Sequence, residues 1–442
     1  MKNFPEKIIV GLGSSGISTA NYLQSNNKSF VLADNYPTTL DIKSLQKKNI
    51  DTKLYMGDFS KKLFKSAKTL IVNPAISINK KAIKAARKNG VEVIGDIELF
   101  AREMVNYSAK LVAITGTNGK STCVSLLQQM ALNAGLNSKL GGNIGVPALD
   151  LLGDKSTELF ILELSSFQLE TTNSLNCDVA GILNITPDHL DRYQSYQDYI
   201  NAKKRLIKQT KNLVVFNDDH QTNKLRAKGK TIKFTLDKPK EDEFGIYQDK
   251  LCKGKTELIS CKQIALKGKH NLANALSCLA IGELIGLPKH AMLSALKSFT
   301  GLPHRTQFVC NIKGSDWIND SKATNVGATI ASINSFASGK NIILIAGGQT
   351  KGADLQPLTK VCEQHVADAI LFGQDAHLLE NTLKNSTECH LVDDLEEACQ
   401  LAYYKSEPSK TVLFAPAGAS FDMFINYQAR GDEFINIARS MA

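Results

Sequence analysis

The chain has 442 residues, a formal net charge of +10, and 43% hydrophobic and 22% charged residues. That length exceeds one compact core, and a prior of about 150 residues per domain suggests roughly three domains. No apolar run reaches the ~20 residues of a membrane helix, and Pro5 and Glu6 stand where a secretory signal would be apolar. Nine cysteines without a C-x-x-C pair indicate reduced thiols, so we expect a cytoplasmic protein.

The positive charge by itself is compatible with nucleic-acid binding. The lysines are spread along the chain, however, and no basic block is interleaved with aromatic residues. A basic enzyme that acts on polyphosphorylated small molecules accounts for the same charge. We therefore expect small-molecule substrates and no nucleic acid. We also expect no membrane insertion and a monomer.

The first region alternates short β-branched runs with polar, helix-like segments. The apolar runs lie at 7–13, 29–34, 69–74 and 91–96. Strands of this length separated by helices predict a parallel sheet with crossover connections.

The segment GLGSSG opens this region with Gly11, Gly13 and Gly16 in a G-x-G-x-x-G pattern between a strand and a helix. Asp34 ends the second strand, where an acidic group is placed to accept ribose hydroxyls. The pattern predicts a pyrophosphate at a helix N-terminus. From this region alone, an NAD(P) site and a site for another diphosphate both remain open.

A second region begins at Leu111 with LVAITGTNGKSTCV, an apolar strand followed by a Gly-rich turn and a helix. The turn runs from Gly116 to Gly119, so it is two residues shorter than the common phosphate loop G-x-x-x-x-G-K-[ST]. Glycines allow successive backbone N–H groups to face an anion. Lys120 would meet the outer phosphates and the Ser121 hydroxyl would meet Mg²⁺. We predict a phosphate-binding loop of unusual length.

Strands are predicted at 159–166, 179–186 and 213–217, antiparallel hairpins between about 218 and 262, and an amphipathic helix at 269–286. Glu163 lies inside one apolar strand and His189 follows another. A buried carboxylate is costly unless it binds a partner at the strand end. Ligands of α/β sheets bind at the carboxyl ends of strands. Asn271 and Asn274 share one helix face, where they either cap the helix or contact a nucleotide.

The third region has predicted strands at 341–348, 369–373 and 411–417. Four polar segments lie between its elements: GLPHRTQ, NDSKATN, GGQTKGAD and APAGASFD. Each alone is typical of a surface loop. We place domain boundaries near residues 97 and 302, which divides the chain into 1–97, 98–301 and 302–442.

Together these segments resemble the Mur ligases, ATP-dependent amide-forming enzymes that build the peptidoglycan stem peptide. TGTNGKST is similar to their short phosphate loop, and the resemblance continues in order through GGNIG, LELSSFQLE, NITPDHLDRY, GKHNLANA, LPHR, NDSKATN, GGxxKG and PAxASFD. It implies an α/β fold with a Rossmann-like N-terminal domain, a central P-loop ATPase-type domain and a C-terminal Rossmann-like domain. It also implies ATP-dependent addition of D-glutamate to UDP-N-acetylmuramoyl-L-alanine through an acyl phosphate.

The resemblance assigns a role to each residue at a matching position. The expected ATP contacts are Gly116, Thr117, Asn118, Gly119, Lys120, Ser121, Thr122, Asn271, Asn274, His304, Arg305 and Asp320. The expected contacts of the uridine diphosphate substrate are Gly13, Ser14, Ser15, Asp34, Asn143, Ser165 and His189. D-Glutamate would contact Thr324, Lys351, Ser420 and Phe421. The expected catalytic residues are Lys120, His189, Lys203 and Lys322.

The resemblance also implies two Mg²⁺ ions, with ligands drawn from Ser121, Glu163, His189 and Lys203. The family pattern Y-x-x-A-K places a carbamylated lysine at Lys203, whereas KKR in a helix alone indicates a solvated basic face. An ammonium cannot ligate Mg²⁺, but a carbamate formed from CO₂ presents anionic oxygens. Tyr36, Ala75 and Gly418 stand where the family more often has arginine, glycine, and cysteine or alanine.

Several alternatives share part of this pattern. Sister ligases that add L-alanine, a diamino acid or a dipeptide have most of the motifs, although the third domain here contains no DNPR. Folylpolyglutamate synthetases share the short loop but lack the Gly-rich domain ahead of it. An NAD(P)-dependent oxidoreductase built on GLGSSG would leave Lys120 and Glu163 without a use, and a non-catalytic nucleotide-binding module would be expected to have lost one of them.

Overall fold

The computed structural model describes residues 6–189, 192–266 and 268–442. Within these ranges the strands form three separate sheets, of five, nine and six strands. Most neighbouring strands in each sheet are parallel, which confirms the predicted α/β class with three domains. None of the helices in the described ranges is long and apolar enough to cross a membrane.

The first sheet contains the strands β1 Lys7–Val10, β2 Val31–Asp34, β3 Leu54–Met56, β4 Thr69–Val72 and β5 Glu92–Ile94. The helices that connect them are α1 Ser14–Ser25, α2 Thr39–Lys47, α3 Lys61–Lys65 and α4 Lys81–Lys88. The strand order is β3-β2-β1-β4-β5, and all pairs are parallel. Four of these strands were predicted; β3 was missed because it has three residues, none of them buried.

The second sheet contains β6 Lys110–Thr115, β7 Ser138–Gly142, β8 Leu159–Glu163, β9 Cys177–Ile182, β10 Thr210–Phe216, β11 Thr231–Phe234, β12 Phe244–Tyr247, β13 Lys250–Lys253 and β14 Thr256–Ser260. Its strand order is β14-β13-β12-β11-β10-β9-β6-β8-β7. The antiparallel hairpins predicted between about 218 and 262 are confirmed for β12, β13 and β14, which pair antiparallel with one another. β11, in the same segment, instead pairs in parallel with β10 and β12, so the whole segment extends the sheet.

The α-helices of this part are α5 Asp96–Glu103, α6 Lys120–Asn133, α7 Ser166–Glu170, α8 Tyr196–Lys204, α9 Lys269–Ile285 and α10 Lys289–Ser298. Four 3₁₀ turns lie at Met104–Asn106, Ala148–Leu151, Arg205–Gln209 and Cys261–Gln263. Helix α9 ends at Gly286, whose φ of +81° stops the helix as predicted. The prediction that α9 is amphipathic was wrong, because 11 of its 17 residues are buried, on several faces.

The third sheet contains β15 Gln307–Ile312, β16 Ser315–Asn319, β17 Ile342–Gly347, β18 Val366–Phe372, β19 Glu388–Leu391 and β20 Thr411–Ala417. Its helices are α11 Val326–Phe336, α12 Pro357–His365, α13 Ala376–Leu383, α14 Leu395–Lys405 and α15 Tyr427–Ser440. The order is β15-β16-β20-β17-β18-β19, with β15 antiparallel to its neighbour. Alternate residues of β17 belong to two different core clusters, so helices cover both faces.

Helix α5 joins the first two domains instead of separating them. The boundary we placed near residue 97 falls inside this helix. Ile97 and Phe100 are fully buried in a core cluster that also contains Ile9 of the first sheet and Phe160 of the second. The rings of Phe100 and Phe160 meet edge to face with centroids 5.4 Å apart. These contacts give the two domains a shared apolar core.

Candidate active site

The register of the central sheet brings several predicted site residues to one edge. Ile114, the second-last residue of β6, pairs with Glu163 at the end of β8, and Gly142 at the end of β7 also pairs with Glu163. The loop that begins at Gly116 therefore lies beside Glu163 and Asn143. This is the carboxyl edge, where ligands of parallel sheets bind.

The loop between β6 and α6 has little room for side chains. Gly119 has a φ of +84°, and a Cβ there would lie 2.4 Å from Asn274 Oδ1 of α9. The Asn118 N–H donates to Asn184 Oδ1 at 2.9 Å. The Lys120 ammonium folds back over the loop and donates to the carbonyl oxygens of Gly116 and Thr117, at 2.9 and 2.7 Å. This arrangement places a cation at the N-terminus of α6, where a phosphate would bind.

The Ser121 hydroxyl is the centre of a hydrogen-bonded cluster. It donates to Glu163 Oε2 at 2.5 Å and accepts from Arg305 Nη2 at 2.8 Å. Asn143 Nδ2 donates to the other carboxylate oxygen of Glu163 at 2.7 Å. Glu163 is 2% exposed, so these neutral donors satisfy a buried carboxylate. Because Arg305 comes from the C-terminal domain, the cluster also joins two domains.

Lys203 of α8 is buried next to Lys120, contrary to the solvated basic face that KKR alone indicates. Its Nζ donates to the Gly116 carbonyl at 2.7 Å, the same oxygen that accepts from Lys120. Nζ also lies 4.7 Å from the centre of the Tyr199 ring. Burial, reinforced by the charge of Lys120, holds the pKa of Lys203 well below its usual range. One of the two neighbouring lysines is thus favoured as a neutral amine.

His189 lies on the same side of the central sheet, in a loop after β9. Its φ is +55°, an uncommon conformation for a residue with a side chain. Its ring packs against Phe167 with centroids 4.8 Å apart, and its Nε2 lies 3.7 Å from Asp188 Oδ2. Asn325 at the start of α11 donates to the same Asp188 oxygen at 3.3 Å. The C-terminal domain therefore also reaches the His189 loop.

The predicted nucleotide residues of α9 meet the C-terminal domain. Asn274 donates to Asn271 Oδ1 at 3.1 Å, and Asn271 donates to Thr306 Oγ1 at 3.3 Å. The Thr306 N–H donates to Asp320 Oδ1 at 3.3 Å. Burial raises the pKa of Asp320 to about 6. These polar side chains line the contact between α9 and the loop that contains His304 and Arg305.

His304 and Lys322 lie close to this contact. His304 is 6% exposed, and its Nδ1 lies 3.1 Å from Asn319 Nδ2; burial lowers its pKa. The Lys322 ammonium lies 4.2 Å from the centre of the Tyr427 ring. Burial lowers the pKa of Lys322 to about 8, and the positive charges of Arg305 and Lys120 contribute to the shift. The Lys322 ammonium is thus close enough to Arg305 and Lys120 to feel their charges.

The residues expected to contact D-glutamate occupy neighbouring loops of the third sheet. Gly347 pairs with Ala417, which brings the loop of Lys351 beside the loop of Ser420. Lys351 Nζ lies 5.6 Å from the Phe421 ring centre. Phe421 is 64% exposed, whereas Ser420 is 2% exposed. Thr324 lies on a third loop, after β16, between Lys322 and α11.

Sequence reasoning missed Arg430, a buried arginine that connects these loops. Its Nε donates to Ser321 Oγ at 3.1 Å, and its Nη2 donates to the carbonyls of Ser321 and Gly418 at 2.9 and 3.1 Å. Its side chain is 1% exposed, and burial lowers its pKa to about 10. A buried arginine bonded to loop carbonyls fixes loop geometry at a desolvation cost. In the sequence, Arg430 is one of several polar residues of a helix with mixed composition, and nothing there marks it as buried.

The Gly-rich loop of the N-terminal domain borders a cavity of about 260 Å³. The residues that line it are Gly11, Leu12, Gly13, Asp34, Asn35, Tyr36, Phe59, Asn73, Ala75, Ile76 and Lys80. Asp34 accepts from the N–H groups of Leu12 and Tyr36, at 2.7 and 2.9 Å, so its carboxylate holds the loop. The predicted Gly13 and Asp34 thus share one cavity, and Ser14 and Ser15 begin α1 beside it.

Ser165, predicted to contact the substrate, caps a helix in this structure. It is the N-cap of α7, and its hydroxyl accepts from the Gln168 N–H at 3.2 Å. Gln168 Oε1 in turn accepts from the Ser165 N–H at 3.0 Å, which completes a capping box. This helix start holds the segment that follows Glu163.

Family models match three consecutive parts of the chain. The Mur ligase MurD-like N-terminal domain matches residues 5–95, the Mur ligase middle domain 114–282, and the Mur ligase glutamate ligase domain 304–418. The UDP-N-acetylmuramoylalanine--D-glutamate ligase of Nitrosococcus oceani is 43% identical over 439 residues, 98% of this chain and 96% of that protein. The ligase of the same name from Legionella pneumophila is 39% identical over 444 residues, 98% and 99% of the two chains.

Solved structures share the same three-domain fold. The MurF ligase of Thermotoga maritima in complex with ADP aligns with a TM-score of 0.63 at 16% identity, over 100% of this chain and 99% of that chain. The MurC UDP-N-acetylmuramate-alanine ligase of the same organism aligns with a TM-score of 0.60 at 17% identity, over 99% and 100%. The matches follow the whole chain in order, and the chain therefore belongs to the Mur ligase family.

Proposed function

We propose that the chain is an ATP-dependent ligase that adds D-glutamate to UDP-N-acetylmuramoyl-L-alanine in peptidoglycan precursor synthesis. Full-length relatives at 39–43% identity carry the name of this ligase. The observation that carries the proposal is the cluster of Lys120, Ser121 and Glu163 at the carboxyl edge of the central sheet, facing Arg305 of the next domain. An oxidoreductase built on the Gly-rich loop alone gives this cluster no use.

The reaction has two chemical steps. The alanine carboxylate oxygen attacks the γ-phosphorus of ATP, the bond from that phosphorus to the β,γ-bridging oxygen breaks, and ADP leaves. The D-glutamate amine then attacks the carbonyl carbon of the acyl phosphate and gives up a proton, the bond from that carbon to the phosphate-bearing oxygen breaks, and phosphate departs with the original carboxylate oxygen. Lys120 and Arg305, which meet at the loop between β6 and α6, would stabilise the negative charge that develops on the transferring phosphoryl group, and Lys322 would add a third positive charge.

The donor groups at the edge of the central sheet fit Mg²⁺. Glu163 supplies carboxylate oxygens and Ser121 a hydroxyl within hydrogen-bond distance of it, and oxygen donors are the preferred ligands of this ion. His189, in the loop after β9, would add an imidazole nitrogen. Two bound ions would neutralise charge on the triphosphate and on the attacking carboxylate. The hydrogen bonds of Glu163 to neutral donors leave its charge available to a cation.

A carbamate on Lys203 would complete this ligand set. CO₂ reacts with a neutral amine, and the low pKa of a lysine buried beside Lys120 favours that form. The carbamate would replace a buried neutral amine with an anion, and that anion would attract the ammonium of Lys120, which shares the Gly116 carbonyl with Lys203.

The other two domains would hold the substrates. The cavity beside Gly13 and Asp34 would take the uridine diphosphate, and Asn143 would contact the muramoyl part. The loops of Lys351 and Ser420 would take D-glutamate. Closure of the C-terminal domain over ATP would exclude water, which would otherwise hydrolyse the acyl phosphate.

Phosphate release from ATP tests the proposal. The enzyme is given UDP-N-acetylmuramoyl-L-alanine, Mg²⁺ and single amino acids in turn. We expect release that requires both the nucleotide sugar and D-glutamate. Release with another amino acid would overturn the D-glutamate assignment and move the chain to a sister ligase. If none of the amino acids in the panel supports phosphate release, the ligase assignment itself would be overturned.

A further inference from the structure

Arg192 is a partly buried arginine of the central domain that contacts the N-terminal domain. Its side chain is 13% exposed. Its Nη1 donates to the carbonyls of Pro74 and Ala75 at 3.0 Å each, and its Nη2 donates to the carbonyl of Ile76 at 3.3 Å. The same Nη2 lies 3.4 Å from Glu170 Oε2. One side chain of the central domain thus holds three successive carbonyls of the domain before it.

The turn held by Arg192 is a wall of the Gly-rich cavity. Asn73 closes the turn, because its side-chain oxygen accepts from the Ala75 N–H at 3.0 Å and its carbonyl accepts from the Ile76 N–H at 2.9 Å. A Cβ at Gly11 would lie 2.5 Å from Ile76 Cδ1 and 2.9 Å from Asn73 Cβ. Because the Gly-rich loop and the turn are this close, the position of the turn sets the width of the cavity.

Arg192 is also connected to the proposed reaction centre, through contacts with Phe167. Its guanidinium carbon lies 4.2 Å from the centre of the Phe167 ring. The same ring also packs against His189, with ring centroids 4.8 Å apart. Arg192, Phe167 and His189 therefore form a continuous contact from the cavity wall to a residue of the proposed metal site.

We propose that Arg192 is a positioning residue for the nucleotide sugar. It holds the 74–76 turn against the Gly-rich loop and, through Phe167, fixes the distance from that cavity to His189. The substrate must span these two places, because its diphosphate binds at one and its carboxylate reacts at the other. This inference rests on the proposed function, since it concerns the substrate named there.

The geometry requires a guanidinium. Its planar fork has five N–H donors, whereas an ammonium has three donors at one point. An arginine can reach three carbonyls and a carboxylate while its face lies on an aromatic ring. Lysine at this position would keep the charge but lose most of these contacts, so Arg192→Lys separates geometry from charge.

Binding of UDP-N-acetylmuramoyl-L-alanine, measured by calorimetry without ATP, tests the inference on wild type, Arg192→Lys and Arg192→Ala. We expect a rise in Kd of about tenfold or more for both variants, with the KM for ATP and for D-glutamate changed by less than about twofold. The matched control is Arg205→Lys. Arg205 donates to the carbonyls of Leu169 and Thr172, at 2.7 and 3.2 Å, but within the central domain only.

Arg205→Lys should leave the Kd for the nucleotide sugar within about twofold of wild type. An unchanged Kd in both Arg192 variants, with a wild type that binds and turns over, would overturn the positioning role alone. Equal losses for all three substrates, or for Arg205→Lys as well, would overturn it in favour of general stability. A wild type that does not bind the nucleotide sugar would overturn the proposed function, and the positioning role with it.

Discussion

Arg305 of the C-terminal domain donates a hydrogen bond of 2.8 Å to the Ser121 hydroxyl of the phosphate loop. That hydroxyl donates in turn to the buried carboxylate of Glu163. A side chain contributed by one domain thus completes a polar cluster built on another. The position of the C-terminal domain and the geometry of the phosphate loop are coupled through this contact.

Arg305→Ala is expected to lower kcat by about a hundredfold, since a charge aimed at the transferring phosphoryl group is lost. Arg305→Lys should recover only part of the rate, because a lysine presents a single point of charge. Steady-state kinetics with ATP varied measures both. Arg439→Ala, on an exposed position of α15, is the control and should behave as wild type. A kcat within twofold of wild type in Arg305→Ala would contradict the assigned role.

Lys203→Ala is expected to lose most activity, and short carboxylic acids such as formate or acetate should partly restore it. The added carboxylate would occupy the space of the carbamate and offer the same kind of oxygen ligand. The matched control is Lys204→Ala, at the next position of α8, which should keep its rate and show no response to formate.

Carbamylation itself can be followed with isotopically labelled bicarbonate by carbon NMR on the intact enzyme. A carbamate resonance is expected in wild type and absent in Lys203→Ala. Loss of activity in Lys203→Ala without any rescue by carboxylic acids would count against the carbamate. In that case the hydrogen bond from Lys203 to the Gly116 carbonyl would be the structural cause of the loss.

We expect Lys322 to determine the alkaline limb of the pH profile of kcat, the range in which the rate falls as the pH rises. Its pKa is lowered to about 8, so it carries a charge below that pH and loses the charge above it. If the charge binds phosphate, kcat should fall as the pH rises through about 8. Arginine stays charged throughout this range, so the limb should move to higher pH in Lys322→Arg. Lys340→Arg, on the surface of the same domain, serves as the control. An unchanged limb in Lys322→Arg would assign the titration to another group.

Asp320 is expected to reduce stability at neutral pH. Its pKa is raised from 3.8 to about 6, so the folded protein holds a proton that the unfolded chain releases between these values. The free energy of unfolding therefore falls as the pH rises from about 4 to about 6, and it stays lower above that range. Asp320→Asn removes this loss and should be more stable at neutral pH by up to about 3 kcal/mol.

Urea unfolding at about pH 4 and about pH 7 measures this difference. The two proteins should be nearly equal at the lower pH and differ at the higher one. Asp316→Asn, at an exposed position of β16, the strand that Asp320 follows, should show no such change between the two conditions. Under the proposed function Asp320→Asn should also bind ATP less well, because the carboxylate is expected to contact the nucleotide. Equal stability of both proteins at both pH values would show that Asp320 is not held in a raised-pKa environment.

Much of the site on the central sheet was accessible from sequence because it follows from strand order. Gly116 directly follows β6, Glu163 ends the neighbouring β8, and Lys120 begins the helix after the loop; the carboxyl ends of such parallel strands meet at one edge. Glu163 is an acid inside an apolar strand. A buried carboxylate needs polar partners, and the end of the strand at that edge is where they could be found. The Gly-rich loop and Asp34 came together in one cavity for the same reason.

The contacts between domains were not accessible in this way. Arg192 and Arg430 look like ordinary surface cations in the sequence, and only the fold brings carbonyls from other segments to them. The burial of Lys203 likewise depends on how α8 packs beneath the phosphate loop. Local periodicity predicts elements but carries no information on such long-range pairs, which is also why the burial of α9 on several faces was missed.

Transfer of an oxygen isotope tests the central claim most directly. UDP-N-acetylmuramoyl-L-alanine labelled in its carboxylate oxygens is incubated with enzyme, ATP, Mg²⁺ and D-glutamate, and the released phosphate is analysed by mass spectrometry. We predict that each phosphate carries one labelled oxygen, and that this product forms only when D-glutamate is present. Phosphate without label, formed at the same rate, would mean that water attacks ATP and that the site does not activate the carboxylate.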